Sequence, residues 1–218
     1  TTNFRAIATC LLAYICFDLM SVHVRLLSSN YSPQELSVYR NVIGVLPAIF
    51  YMWYSKELSL KISDYKIEKW KLGILRGLII AVAQLCFYTA LANLELATVS
   101  ALGQVSALFI VLLAIFLYKE KVGFWRWTAV IMGFLGATMI MKPGTDIFSW
   151  YSILPICAAF CYASSIVTLR SFKSSVSSAI LFLYSATSAA FGAMLLAFGS
   201  IDFTPIKSLI DGLLITSM

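Results

Sequence analysis

Apolar residues in this chain run in long unbroken blocks separated by short polar connections. Seven complete blocks can be marked, at about residues 6–27, 36–54, 72–92, 97–118, 124–141, 151–169 and 179–199. An eighth begins near Leu209 and runs to the last residue. A helix that crosses a bilayer needs about 20 consecutive apolar residues. The blocks are continuous rather than alternating at every second position, which predicts helices and not barrel strands. The first block is no cleaved signal peptide, because it is too long, carries Asp18 and lacks a small-x-small cleavage site. The pattern predicts an all-α integral membrane protein, a polytopic helical bundle.

The tryptophans fit that placement. Trp53 closes the second block, Trp70 opens the third, Trp125 and Trp127 open the fifth and Trp150 opens the sixth. These are the positions of an interfacial aromatic belt. Composition agrees: of 218 residues, 61% are hydrophobic and only 12% charged. A soluble domain carries roughly 25% charged residues. A water-soluble enzyme, a disordered chain and a secreted disulfide scaffold are all excluded. Cys10, Cys16, Cys86, Cys157 and Cys161 lie inside apolar blocks, odd in number and without a CxxC pair. They read as apolar filler, with no metal site expected.

The net charge of +6 is informative through its distribution. One side of the membrane would hold Arg5, Lys56, Lys61, Lys66, Lys69, Lys71, Arg76, Lys119, Lys121, Arg126, Arg170 and Lys173. The other would hold Arg25, Arg40, Lys142 and Lys207. Twelve against four places the N-terminus in the cytoplasm by the positive-inside rule. The basic connection between the second and third blocks is mixed with Glu57, Asp64 and Glu68. It therefore reads as a solvated topology determinant rather than a lipid or nucleic-acid patch.

Sliding the chain on itself by 145 positions aligns residues 13–48 with 158–193 without a gap. Cys16/Cys161, Val22/Val167, Arg25/Arg170, Ser32/Ser177, Leu36/Leu181 and Tyr39/Tyr184 are identical. The offset spans five helices, an odd number, so the second copy would enter the membrane from the opposite face. Inverted repeats of this kind are a feature of secondary transporters.

The order of short motifs is similar to that of EamA-type members of the drug/metabolite transporter superfamily. The motifs are Phe17-Asp18-Leu19-Met20, Arg25-Leu26-Leu27, Ser32-Pro33-Gln34-Glu35-Leu36 and Arg40. Arg76-Gly77, Phe87-Tyr88-Thr89-Ala90-Leu91 and Ala97-Thr98-Val99-Ser100-Ala101-Leu102 follow. Leu117-Tyr118-Lys119-Glu120-Lys121-Val122, Trp125-Arg126-Trp127, Gly133-Phe134-Leu135-Gly136 and Lys142-Pro143-Gly144 complete the set. The resemblance implies an inverted five-plus-five bundle with a cavity between its halves. Residues 1–144 would form the first five-helix repeat, and 145–218 an incomplete, inverted second one. Ten helices exceed what the chain supplies, so it reads as part of a longer carrier. The resemblance also implies small polar metabolites as substrates, export or exchange, and a location in the cell (inner) membrane. One departure is Ala107, where the fourth span of such proteins often carries proline.

Intramembrane polar residues supply the candidate site. Asp18 lies near the middle of the first block, where a carboxylate costs roughly 2.5–3.5 kcal/mol on insertion scales. It is expected to contact substrate or carry a coupling proton, the competing reading being a partner on a neighbouring helix. Arg25 lies two turns on, about 10 Å away along the axis, with a water or substrate anion able to bridge. Gln84 and Gln104 offer donors and acceptors mid-span, either to a polar metabolite or as glue between helices. Tyr14, Tyr88 and Tyr162 are candidate walls for an aromatic or heterocyclic substrate, or packing residues. His23 points away from the Asp18 face and reads as an interfacial contact. Glu120 reads as a helix-end contact, and Gly133 and Gly136 as sites of close packing.

No GxxxxGK[ST], HExxH or GxSxG is present, so ATP-driven transport and hydrolase chemistry have no motif here. The expected partners are a small-molecule substrate and the lipid bilayer, with proton coupling as one option and no cofactor, metal or nucleic acid. A multidrug exporter and a non-transporting scaffold or accessory protein are the alternatives.

Overall fold

The computed structural model describes residues 2–54, 67–119, 123–142, 149–172, 176–198, 211, 212, 214 and 215. Among these residues all regular structure is helical. The chain is an all-α polytopic membrane protein. The helices are α1 (Thr2–Leu27), α2 (Pro33–Tyr54), α3 (Trp70–Asn93), α4 (Leu96–Gly103), α5 (Ser106–Tyr118), α6 (Phe124–Met141), α7 (Ile153–Thr168) and α8 (Ser178–Ala197). Short 3₁₀ turns at Trp150–Ser152 and Leu169–Ser171 bracket α7. Glu120 and the connection lysines Lys56, Lys61, Lys66, Lys121 and Lys173 lie outside the described residues, as does most of the eighth block.

Local chemistry explains where helices start. Before α2, the Ser32 amide donates to Glu35 Oε2 at 2.8 Å and the Glu35 amide donates to Ser32 Oγ at 3.3 Å. This reciprocal pair is a capping box, with Pro33 at the first helical position, where its missing N–H costs nothing. At the start of α8, Ser177 Oγ accepts from the Ala179 amide at 3.1 Å. Ser32 and Ser177 are aligned by the 145-residue offset, and each begins the corresponding helix.

Six described helical stretches are long and apolar enough to cross a membrane: Ile7–Leu27, Trp70–Asn93, Leu96–Tyr118, Phe124–Met141, Trp150–Ser171 and Ser178–Ala197. The sequence predicts a seventh over 36–54. That helix exists as α2, about 33 Å long at 1.5 Å per residue, but Arg40 and Asn41 interrupt its apolar character. A second difference concerns the fourth block, predicted as one helix. It divides into α4 and α5 at Gln104 and Val105. The Gln104 and Val105 amides reach back only three residues, to the Ala101 and Leu102 carbonyls. A turn of 3₁₀ geometry therefore interrupts the α-helical ladder there without a proline.

Helix α3 is the centre of the bundle and packs most extensively on α8 and α7, and less on α2 and α1. Its buried face is rich in small residues, Gly73, Gly77, Ala81, Ala83 and Ala90. Small residues allow backbones to approach closely where dispersion rather than water exclusion drives helix association. At Gly77 the approach is closest: a Cβ there would fall 1.8 Å from Ser188 Oγ and 2.6 Å from the Ser185 carbonyl oxygen. Gly133 faces Leu108 across the α5–α6 contact, whereas Gly136 has open space beside it. Met20, Val24, Leu36, Phe87, Tyr88 and Leu91 form the main core cluster. The outer faces of α1 and α6 expose Leu11, Leu12, Ile15, Met132 and Met139, an apolar surface suited to lipid tails. All five tryptophans are exposed at helix ends, which suits side chains with an apolar ring and a polar N–H.

Candidate functional site

Two adjoining cavities open inside the bundle. The first, about 310 Å³, is walled by Tyr14 and Phe17 of α1, Phe87 of α3, Gly103 and Gln104 at the α4–α5 interruption, and Pro155, Ala159 and Tyr162 of α7. Asp18 and Ser100 add polar groups to walls that are otherwise largely apolar. The second, about 480 Å³, lies among α2, α3, α7 and α8. Arg40, Asn41, Arg76, Gln84, Ser165 and Ser185 supply its polar lining. Phe17, Tyr162 and Ile166 line both spaces and so form the partition between them.

Of the residues singled out by sequence, Tyr14, Asp18, Gln104 and Tyr162 come together around the aromatic cavity. Asp18 also borders a shallow groove with Leu19, Val22 and Ala97 on the outside of α1. Gln84 lines the other cavity, where its carbonyl accepts from Asn41 Nδ2 at 2.5 Å. The same Asn41 nitrogen donates to the Ser37 carbonyl at 2.7 Å. Both amides are buried, so this pair ties α2 to α3.

Arg25 and Tyr88 border neither cavity. The Arg25 guanidinium donates to the Leu91 carbonyl and, at 2.7 Å, to the Leu94 carbonyl. It thereby satisfies free carbonyls at the C-terminal end of α3, where the helix dipole favours a cation. Tyr88 is enclosed in the core, its hydroxyl 4.0 Å from Met20 Sδ. Among the described residues no group of histidine, cysteine and carboxylate side chains is placed to hold a metal ion.

Arg40 and Arg76 are the functional candidates that sequence reasoning passed over. Both were counted as loop charges, on opposite sides of the membrane. In the structure Arg40 is in the second turn of α2 and Arg76 in the second turn of α3, and both line the same cavity. Removing them from the loop count leaves eleven basic residues against three, so the charge bias persists without them. The missed signal was position. Arg40 falls within the 36–54 block, and a cation inside an apolar block marks a wet cavity as readily as Asp18 does. Arg76 Nε donates to the Ser165 carbonyl at 3.0 Å, and another of its nitrogens donates to Ser185 Oγ.

The 145-residue offset relates several of these lining positions. Residues 145 apart line the same spaces: Tyr14 and Ala159 in the aromatic cavity, and Phe17 and Tyr162 in both. Arg40 and Ser185, Asn41 and Ala186, and Gly44 and Ala189 do so in the arginine cavity.

Comparison with known proteins agrees with this architecture. The sequence profile of the EamA-like transporter family matches residues 4–142, more than half of the chain. The chain belongs to the EamA-like transporter family. Among curated EamA-type relatives, an uncharacterized transporter of Helicobacter pylori is 29% identical over 136 residues, 62% of this chain and 45% of that protein. The pseudopaline exporter of Pseudomonas aeruginosa is 25% identical over 160 residues, 73% of this chain and 54% of the exporter. The S-adenosylmethionine uptake transporter of Rickettsia prowazekii is 25% identical over 188 residues, 85% of this chain and 61% of that transporter. The chain thus spans about half the length of the H. pylori and P. aeruginosa relatives. Family and relatives are transporters, and the six apolar helices make this EamA-type chain a multi-pass membrane protein.

Proposed function

We propose that the protein is a secondary carrier that moves small polar metabolites by alternating access between two inverted halves. The observation that carries this reading is the pairing of repeat-related residues, Phe17 with Tyr162 and Arg40 with Ser185, on the walls of adjoining cavities. A site built from equivalent positions of two inverted repeats can be opened to either side by rocking one repeat against the other. The interruption between α4 and α5 supports it, since broken helices commonly supply polar backbone at such sites. Energy would come from a gradient, as no nucleotide-binding loop is present. The charge bias supports a cytoplasmic N-terminus in the cell (inner) membrane.

In this reading Asp18 contacts the substrate or carries a coupling proton, and Tyr14, Gln104 and Tyr162 shape the space beside it. Direction is either export or exchange. A named relative works outward and another inward. The aromatic walls of the smaller cavity favour a second reading, a multidrug exporter with a weakly polar substrate. Flux of a radiolabelled metabolite panel into proteoliposomes, with and without a pH gradient, tests the proposal on the full-length protein. Wild-type flux that rises with the gradient, and loses that dependence in Asp18→Asn, is the expected result. Flux and pH response unchanged by Asp18→Asn would remove the role assigned to this carboxylate. No flux of any panel member would count against the carrier reading itself.

A further inference from the structure

The larger cavity has a chemistry that transport as such does not require. Two guanidinium groups line it and, among the described residues, no carboxylate does. Arg40 is half-buried, and its Nε is fully buried with no hydrogen-bond partner among the described residues. A buried donor left without an acceptor is costly. Arg76 is anchored by the Ser165 carbonyl and Ser185 Oγ, but those are neutral acceptors, and they leave its charge uncompensated. Guanidinium groups suit carboxylate and phosphate oxygens, which they meet with two parallel N–H donors.

We infer that this cavity is an anion site, in which Arg40 receives the carboxylate or phosphate group of the transported molecule. The inference rests on the carrier reading and narrows its substrate to an organic anion. Arg76 is the second cation of the site. Gln84 meets Asn41, the residue after Arg40, and Arg76 is eight residues from Gln84, about 12 Å of helical rise. The two cations therefore rise from different levels of the backbone into one cavity. Asn41, Gln84 and Ser185 supply neutral donors and acceptors for the rest of the molecule. The volume of about 480 Å³ is within the range of small-molecule sites.

The test is binding, measured apart from transport. The full-length protein in nanodiscs is titrated at constant ionic strength with succinate, inorganic phosphate and the uncharged succinamide, following intrinsic fluorescence and thermal midpoint. Succinate or phosphate should raise the midpoint and succinamide should not. The anion affinity should fall by about tenfold or more in Arg40→Gln, and less in Arg40→Lys, which keeps the charge and loses the two-pronged donor. Arg76→Gln should weaken binding too, with Arg76→Lys as the variant that retains charge if the loss of the Ser165 and Ser185 bonds impairs folding. Whichever of succinate and phosphate binds more tightly assigns the group. Absence of anion-specific stabilisation in the wild type, or affinity unchanged in Arg40→Gln, would overturn the site. Anion binding without flux in proteoliposomes would instead retain the site and count against the carrier. Flux of neutral or cationic metabolites that ignores Arg40 would do the reverse.

Discussion

Replacing Gly77 by alanine tests the packing on which the arginine cavity depends. An added Cβ would lie 1.8 Å from Ser188 Oγ and 2.6 Å from the Ser185 carbonyl oxygen. The hydroxyl can rotate away, but the carbonyl belongs to the backbone of α8. Ordinary contact begins near 3.4 Å, so α8 must retreat by several tenths of an ångström. Overpacking of this kind costs about 1–3 kcal/mol. Alanine also favours a helix over glycine by about 1 kcal/mol, which offsets part of that cost. The net expectation is a loss of up to about 2 kcal/mol, which lowers the thermal midpoint by up to roughly 8 °C on the scale of folded domains of this size. Gly136→Ala is the matched control, because open space surrounds that position in α6, and it should be neutral or stabilising. Both variants are compared with the wild type in nanodiscs by intrinsic fluorescence on heating. Because Ser185 Oγ accepts from Arg76, Gly77→Ala should also weaken anion binding. Equal midpoints for the Gly77 and Gly136 variants would refute the close α3–α8 contact and the argument built on it.

Two further outcomes follow from single hydrogen bonds. Asn41→Ala should cost about 1–2 kcal/mol by leaving the buried Gln84 amide without this partner, and Gln84→Ala should cost less, because Asn41 keeps its bond to the Ser37 carbonyl. A double-mutant cycle should return a coupling near the roughly 0.6 kcal/mol common for such pairs in membranes, and additive losses would break the assigned contact. Ser32→Ala removes the acceptor of the α2 capping box and should cost about 1 kcal/mol, measured as a lowered midpoint. A compensating Asp at position 32 should recover most of it, and a failure to recover would point away from capping.

Much of the fold was legible because the bilayer restricts what a chain can do. Long apolar blocks, terminal tryptophans and Ser32 and Ser177 before helices each report a local rule, and local rules are written in consecutive residues. The α4–α5 interruption was not legible, because neither a proline nor a glycine pair forces it and its 3₁₀ bonding arises within an apolar run. Tyr14, Asp18, Gln104 and Tyr162 stand out in the sequence as polar side chains within apolar blocks, and the fold gathers them around one cavity. The same cue failed for Arg40 and Arg76, because a cation near the end of a helix looks the same whether it faces water or a neighbouring helix. Arg25 shows the converse: counted beside Asp18, it is used instead on the carbonyls that end α3.

The sequence by itself determined the class of protein and the places where helices begin, since each depends on spacing along one strand of chain. Only the tertiary structure decided which polar groups share a space. Phe17 and Tyr162 are 145 positions apart and meet at one partition. Arg40 and Arg76 lie in consecutive helices and face one cavity that, among the described residues, has no carboxylate. Helix rotation and crossing set those encounters, and both are fixed by small residues such as Gly77 that admit a neighbouring backbone. Charge along the chain therefore indicates how a membrane protein is oriented, while charge in the folded bundle indicates what it can hold.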